Sequence, residues 1–289
     1  MRKLAILSTD DLEDFFVYDH LAYEPLKQAG WEVEEVSWHA KDVDWEQFEV
    51  VVIRSTWDYQ SYCSEFVAVL EKINAGSAKL ENSLNLVKWN ISKNYLLELE
   101  QKGIDIVPTL WCQSFDYPQI KSAFAHFNCA EIVIKPWVSA NADHTFRLTP
   151  QDVEEQLEGL EQVFGEREYM LQPFLRNVVR EGEYSLFYFA GEYSHSILKI
   201  PKRNDFRVQE EHGGQMRSIE ASEELLAAGQ AIMLALPEQP LYARIDLVAF
   251  QGRYVLMEAE LIEPSLYFNM DDESANRFAN AFINRYGKG

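Results

Sequence analysis

Asp246, Glu258 and Glu260 are the residues whose types and spacing say most about chemistry. Glu258 and Glu260 stand two apart in Tyr254–Glu260, a stretch that reads as a strand, so their side chains share one face. Asp246 lies on the strand read before it, Ala243–Ala249. Three carboxylates on one sheet face repel one another unless cations sit between them, and hard oxygen ligands suit Mg2+ or Mn2+. A solvated strand face is the ordinary alternative in so acidic a chain. The apolar flanks, Val255-Leu256-Met257 and Leu261-Ile262, argue for the metal.

Four further places could carry chemistry, the first two as anion sites. Lys135 ends a strand and precedes Pro-Trp-Val-Ser-Ala-Asn-Ala; a lysine there can meet a phosphate, and Ser139, Ala140 and Ala142 are small enough to let backbone amides approach it. A lysine that merely ends a sheet edge is the plainer reading. Lys199 and Arg207 are followed by Gly213-Gly214, a set that suits an anion, with surface cations as the alternative. Arg54-Ser-Thr-Trp-Asp-Tyr59 directly follows a strand, and ligands of open α/β sheets gather outside the carboxyl ends of strands. A buried Trp57 and a turn-forming Asp58 would explain that segment structurally instead. His195, between Ser194 and Ser196, is the one histidine placed to matter, although a core histidine is the simpler account.

The elements that must position these residues alternate at first. Leu4–Leu7, Glu32–Trp38 and Phe48–Ile53 read as strands, separated by a helical stretch that Pro25 limits and Gly30 closes. Cys63–Asn74 carries Phe66, Leu70 and Ile73 on one helical face. This predicts a small parallel α/β unit over residues 1–85. Asn90 is expected to cap a helix that runs to Lys102 and ends at Gly103. Thr149-Pro150 with Asp152 is a strong helix start. From Glu168 strands dominate: Tyr169–Gln172, Glu183–Ala190, Tyr193–Ile200 and the two carboxylate strands, with a hairpin at Ala190-Gly191-Glu192 and helices near 222–236 and 272–286. The fold class is α/β followed by α+β.

Composition excludes several functions. The chain has 289 residues, near two domains at roughly 150 each, with 47% hydrophobic and 25% charged residues. Its formal net charge of −21 disfavours nucleic acid and acidic membranes as partners. The longest aliphatic run, Ala231–Leu236, is far short of a membrane span, and Leu4–Leu7 is too short for a signal peptide. Cys63, Cys112 and Cys129 lack CxxC spacing, which suits a reducing cytoplasmic setting. There is no Walker loop, GxGxxG, HExxH or GxSxG.

Taken in order, these residues resemble the ATP-grasp carboxylate–amine ligases of the glutathione-synthetase-like superfamily. Asn85 to Thr109 (NLVKWNISKNYLLELEQKGIDIVPT) is similar to the lead-in to their nucleotide-binding domain, with Lys93 at the first phosphate lysine. Glu131-Ile-Val-Ile-Lys-Pro136 resembles the strand that bears the second, Lys135. Met170-Leu-Gln-Pro-Phe-Leu175 resembles the hinge that contacts adenine through Gln172, Phe174 and Leu175, and Glu183 matches the acid that binds ribose. Ile200 to Gly214 is similar in spacing to a stretch of bacterial glutathione synthetase. Arg54 to Tyr59, Ser194-His195 and Glu260-Leu-Ile-Glu-Pro-Ser-Leu266 resemble the branch that holds the O-ureido-serine cyclo-ligase of cycloserine biosynthesis.

The resemblance implies an ATP-grasp fold in which residues 1–85 form a Rossmann-like domain, 86–172 a small subdomain and 173–289 a subdomain with the metal site. It implies ATP and two Mg2+ (or Mn2+) ions held by Asp246, Glu258 and Glu260. It implies that Lys199 and Arg207 act at the phosphoryl group, and that Ser139 contributes at the phosphates. Arg54, Trp57, Asp58, Tyr59, Gly213 and Gly214 would border an amino-acid-like substrate. The activity implied is amide-type bond formation through an acylphosphate, with an intramolecular ring closure or a non-catalytic nucleotide-binding role as alternatives. A homodimer is favoured. Two departures stand out: the loop after Lys135 has no glycine, and Glu260 replaces the superfamily's usual asparagine.

Overall fold

A computed structural model describes residues 2–13, 15–139, 142–203 and 205–289. The first sheet is parallel, in the order β2-β1-β3-β4, from β1 (Arg2–Ser8), β2 (Trp31–Ser37), β3 (Val50–Ser55) and β4 (Lys79–Glu81). Alternation along β1 and β3 feeds two cores. Leu4, Ile6, Val50 and Val52 face the helix Ser274–Tyr286, whereas Ala5, Leu7, Val51 and Ile53 face the helix Cys63–Ala75 through Phe66, Leu70 and Ile73. Full burial of each of those three side chains contributes about 1.5–3 kcal/mol. Pro25 sits in the first turn of a short helix, Tyr23–Gln28, where its missing N–H costs little.

The second sheet is antiparallel, in the order β5-β8-β6-β7, from β5 (Leu110–Cys112), β6 (Ile132–Pro136), β7 (Phe146–Leu148) and β8 (Tyr169–Pro173). Its core is its own: Ile120, Ile132, Ile134, Val153, Leu160 and Phe164 meet under the helices of residues 117–164. Thr149 and Asp152 form the expected capping box, with Pro150 at the first helical position.

The third sheet is antiparallel, in the order β11-β10-β9-β12-β13, from β9 (Glu183–Phe189), β10 (Glu192–Ile200), β11 (Gln215–Ile219), β12 (Tyr242–Phe250) and β13 (Arg253–Glu260). Ala190 and Gly191 both take positive φ, as the predicted hairpin between β9 and β10 requires. The helix Ser274–Tyr286 returns across the molecule, so Phe278 and Phe282 join Leu4, Trp31, Phe187 and Phe189 in one core. Among the described residues no helix is long and apolar enough to cross a membrane, and the three cysteines are free.

One helix expectation is corrected. Asn90 does not start a helix; it ends one, Leu84–Asn90, which Ser83 caps by accepting the Leu86 N–H. A second helix, Tyr95–Gln101, follows. The Asn90 amide is occupied elsewhere, on the backbone at the end of β13 and the residue after it.

Candidate active site

β12 and β13 set the charged face by register. Arg244 lies opposite Glu260 and Asp246 opposite Glu258; then the register slips, Leu247 pairs with Leu256, and Met257 is the extra residue of a bulge. Arg244, Asp246, Glu258 and Glu260 thus share one face, as the alternation required. Glu183 and Lys199 are cross-strand partners on β9 and β10, and Ser185 lies opposite Asp246.

The carboxylates do not meet one another; cations lie between them. Lys93 donates to Glu258 Oε1 at 2.8 Å and to the Ser139 carbonyl at 2.6 Å. Lys199 bridges Glu183 (2.6 Å) and Asp246 (3.0 Å). Arg244 binds both Asp246 and Glu260, and Ser185 donates to Asp246 Oδ1 at 2.5 Å. Among the described residues, no three His, Cys, Asp or Glu side chains are gathered at metal-binding spacing. Asp246, Glu258 and Glu260 thus lie on one sheet face with cations of the chain between them, and those cations balance the repulsion that three neighbouring carboxylates would suffer.

Protonation follows from this arrangement. Burial would raise Glu258, but Lys93 and Lys135 overcome it and hold the group below the usual range. Burial would likewise raise Asp246, yet Arg244 and Lys199 hold it down. Burial lifts Glu183 despite Lys199. Glu260 is pushed up to about 7 by burial and by Asp246 and Glu258, against the pull of Arg244. Lys135 falls to about 8, chiefly by burial, and makes no ion pair among the described residues. Among the described residues it is a desolvated lysine without a fixed partner.

These groups line one cavity. Its wall includes Lys93, Lys135, Ser139, Ala142 and Gln172, with Phe174, Leu175, Glu183, Lys199 and Arg207. Trp57, Tyr59, Glu258 and Glu260 complete the predicted set found there. Glu258 and Glu260 are ringed by protein but keep 29% and 26% of their side-chain surface open, towards this space. Val107, Val133, Val178 and Met257 make one end apolar. Gln172 donates to Thr109 at 2.9 Å. Arg207 pairs with Asp205, whose carboxyl it holds well below the ordinary value.

Other predicted residues lie elsewhere. Arg54 is buried away from the wall, bonded to Asp19 at 3.0 Å and to the Pro264 carbonyl at 2.5 Å. Asp58 accepts from Thr9 and Trp38 and meets His39 at 2.6 Å. Asp246 is beneath Lys199 rather than in the wall. Gly213, at φ +83°, ends a turn, and a Cβ on Gly214 would sit 2.0 Å from the Val208 carbonyl oxygen, so this pair closes the loop that carries Arg207. Ala140 is outside the described residues. His195 is buried and stacked on Phe187 at 4.2 Å.

The sequence reading passed over Arg244, Glu263 and Tyr267, all in the wall. Arg244 had a usable signal, since it precedes Asp246 by two on one strand and must share its face. Tyr267 and Glu263 lie in irregular chain, where no periodicity points inward.

Comparison with known proteins gives the same picture. A family model described as the N-terminal domain of D-cycloserine synthetase DcsG matches residues 4–82, and one described as the ATP-grasp domain of prokaryotic glutathione synthetase matches residues 116–265. The cycloserine biosynthesis protein DcsG of Streptomyces lavendulae is 30% identical over 278 residues, 91% of each chain. The crystal structure of D-cycloserine synthetase DcsG superposes with a TM-score of 0.87 at 28% identity, covering 98% of this chain and 99% of that one. D-alanine–D-alanine ligase of Bacillus anthracis shares the fold, with a TM-score of 0.70 at 13% identity over 98% of this chain and 97% of that one. The chain therefore belongs to the ATP-grasp ligases, in the branch of the cycloserine synthetase DcsG, and is an ATP-dependent enzyme that forms carbon–nitrogen bonds.

Proposed function

We propose that the enzyme activates the carboxylate of a small amino-acid-like substrate as an acylphosphate and then joins it to a nitrogen of the same molecule, closing a ring. The observation that carries this reading is that Lys93, Lys135, Lys199 and Arg207 line one cavity together with Glu258 and Glu260. The likeness to DcsG over nine-tenths of the chain favours ring closure over ligation of two molecules.

In this reading the apolar end, with Gln172, Phe174, Leu175 and Met257, takes adenine, and Glu183 takes the ribose hydroxyls. Lys93, Lys135 and the backbone about Ser139 hold the phosphates. The donor set fits divalent ions: Glu258 and Glu260 are hard oxygen donors that keep part of their side chains open to the cavity, and Asp246 lies on the same sheet face behind them. Bound there, Mg2+ would neutralise and align the phosphate oxygens. Lys93 and Lys199 would exchange their carboxylate partners for phosphate, which frees those oxygens.

A substrate carboxylate oxygen attacks the γ-phosphorus and ADP leaves. The nitrogen then attacks the carbonyl carbon and inorganic phosphate leaves. Such transfer needs positioning and charge compensation rather than covalent help. Arg207 holds the substrate carboxylate or the charge that develops on the transferred group. Trp57 and Tyr59 border the substrate end. Water must be kept out, since an acylphosphate hydrolyses.

The test is ADP release from ATP and Mg2+ with O-ureidoserine alone and with amino acids in pairs. Release with the single compound, with a cyclic product by mass spectrometry, is expected. Release only with a pair overturns ring closure in favour of ligation between two molecules.

A further inference from the structure

The segment that follows β13 is held unusually firmly. Four successive carbonyls each accept from a side chain, two from β3 and the turn after it and one each from β12 and β10: Glu263 from Trp57 at 2.8 Å, Pro264 from Arg54 at 2.5 Å, Ser265 from Arg244 at 3.2 Å and Leu266 from His195 at 3.2 Å. The Glu263 side chain is thereby presented to the cavity on a fixed backbone. That carboxylate has neither an ion pair nor a hydrogen bond among the described residues, while Lys93, Lys199 and Arg244 are all committed to other acids. The nearby cavity wall is aromatic, from Phe15, Trp57, Tyr59 and Tyr267.

We infer that Glu263, with the aromatic side chains of Trp57 and Tyr59, seats a non-reacting primary ammonium group of the substrate. Burial, with Glu260 and Glu258 close by, favours the neutral acid at Glu263, so a ligand cation in the cavity is what would hold it as a carboxylate. Aromatic walls suit an alkylammonium, which is attracted to ring faces, better than a hydrated divalent ion, which needs further oxygens. Arg207 borders the same cavity and would exchange Asp205 for a substrate carboxylate, so that together with Glu263 it would select a zwitterion. The assignment rests on the amino-acid-like substrate proposed above and makes its α-amino group a requirement for binding.

The experiment is calorimetric titration of wild-type and E263Q enzyme, each loaded with a non-hydrolysable β,γ-imido ATP analogue, with O-ureidoserine and with 3-(ureidooxy)propanoic acid, which lacks the amino group. The wild type is expected to favour the amine, and E263Q to lose at least about 30-fold in affinity for it with little change for the deaminated compound. E263Q is expected to keep cooperative thermal unfolding, since the side chain holds no partner that the fold needs. Equal losses for both probes, or none for the amine, overturn the assignment alone. Failure of folded wild-type enzyme to bind either probe while it still binds ATP overturns the substrate reading together with it.

Discussion

Asn82 and Asn90 hold Leu261 from its two sides. The Asn82 amide donates to the Leu261 carbonyl at 2.7 Å, and the Leu261 N–H donates to Asn90 Oδ1 at 3.0 Å. Asn90 also donates to the Ala259 carbonyl at 2.8 Å, so the two bonds of one amide bracket Glu260. Asn90→Leu leaves two buried backbone groups unpaired and is expected to cost about 2–4 kcal/mol. Urea denaturation measures that cost. A stability unchanged within 0.5 kcal/mol or so would contradict the clamp.

Glu258→Gln removes a charge that Lys93 and Lys135 face. ADP formation is expected to fall at least about a hundredfold with the fold intact, because the site loses preorganised charge at the phosphates. Near-normal turnover by well-folded variant protein would remove Glu258 from the metal set.

Lys135 is shifted down to about 8 by burial and has no ion pair among the described residues. At pH 8 about half of it is therefore neutral. A phosphate placed beside it favours the charged form, so nucleotide binding at pH 8 is expected to take up about half a proton. Calorimetry in buffers of different ionisation enthalpy reads this uptake, and Lys135→Met should abolish it.

His195 is pushed down to about 4 chiefly by burial, with Asp271 and Arg277 acting in opposite senses. Its Nε2 faces the Leu266 carbonyl, so that nitrogen carries the proton of the neutral ring, while Nδ1 faces the Ser194 hydroxyl. The unfolded chain binds this proton first as pH falls, so stability is full above about 6.5 and is lost towards pH 4, by up to about 3 kcal/mol. Denaturation curves across that window should flatten in His195→Gln; an unchanged slope would assign the acid lability to other groups.

What the sequence disclosed follows from how far each signal reaches. The buried run of β3, the capping box at Thr149 and the positive-φ hairpin at Ala190-Gly191 are local, and all three appear where spacing put them. β4, β5 and β7 are three residues each, too short to show a period, and β11 is an edge strand without an apolar face. Arg54 follows the β3 run as a ligand residue would, but its partner Asp19 is 35 residues earlier, and no local spacing announces that pair. The charged face of β12 and β13 was legible from alternation. The lattice of lysines that fills it was not, because Lys93 and Lys199 arrive from other elements.

The distribution of cores divides the molecule differently from its three sheets. One core runs unbroken from β1 and β3 through Phe187 to the helix Ser274–Tyr286, so the first and third sheets are welded into a single body. The second sheet shares none of it and keeps a private core. The cavity lies along that joint, with Lys135 and Gln172 on one side and Lys199 and Glu258 on the other. Lys135 on β6 already faces Glu258 on β13 across that joint, so the match of charge in the cavity depends on how two separately packed cores abut.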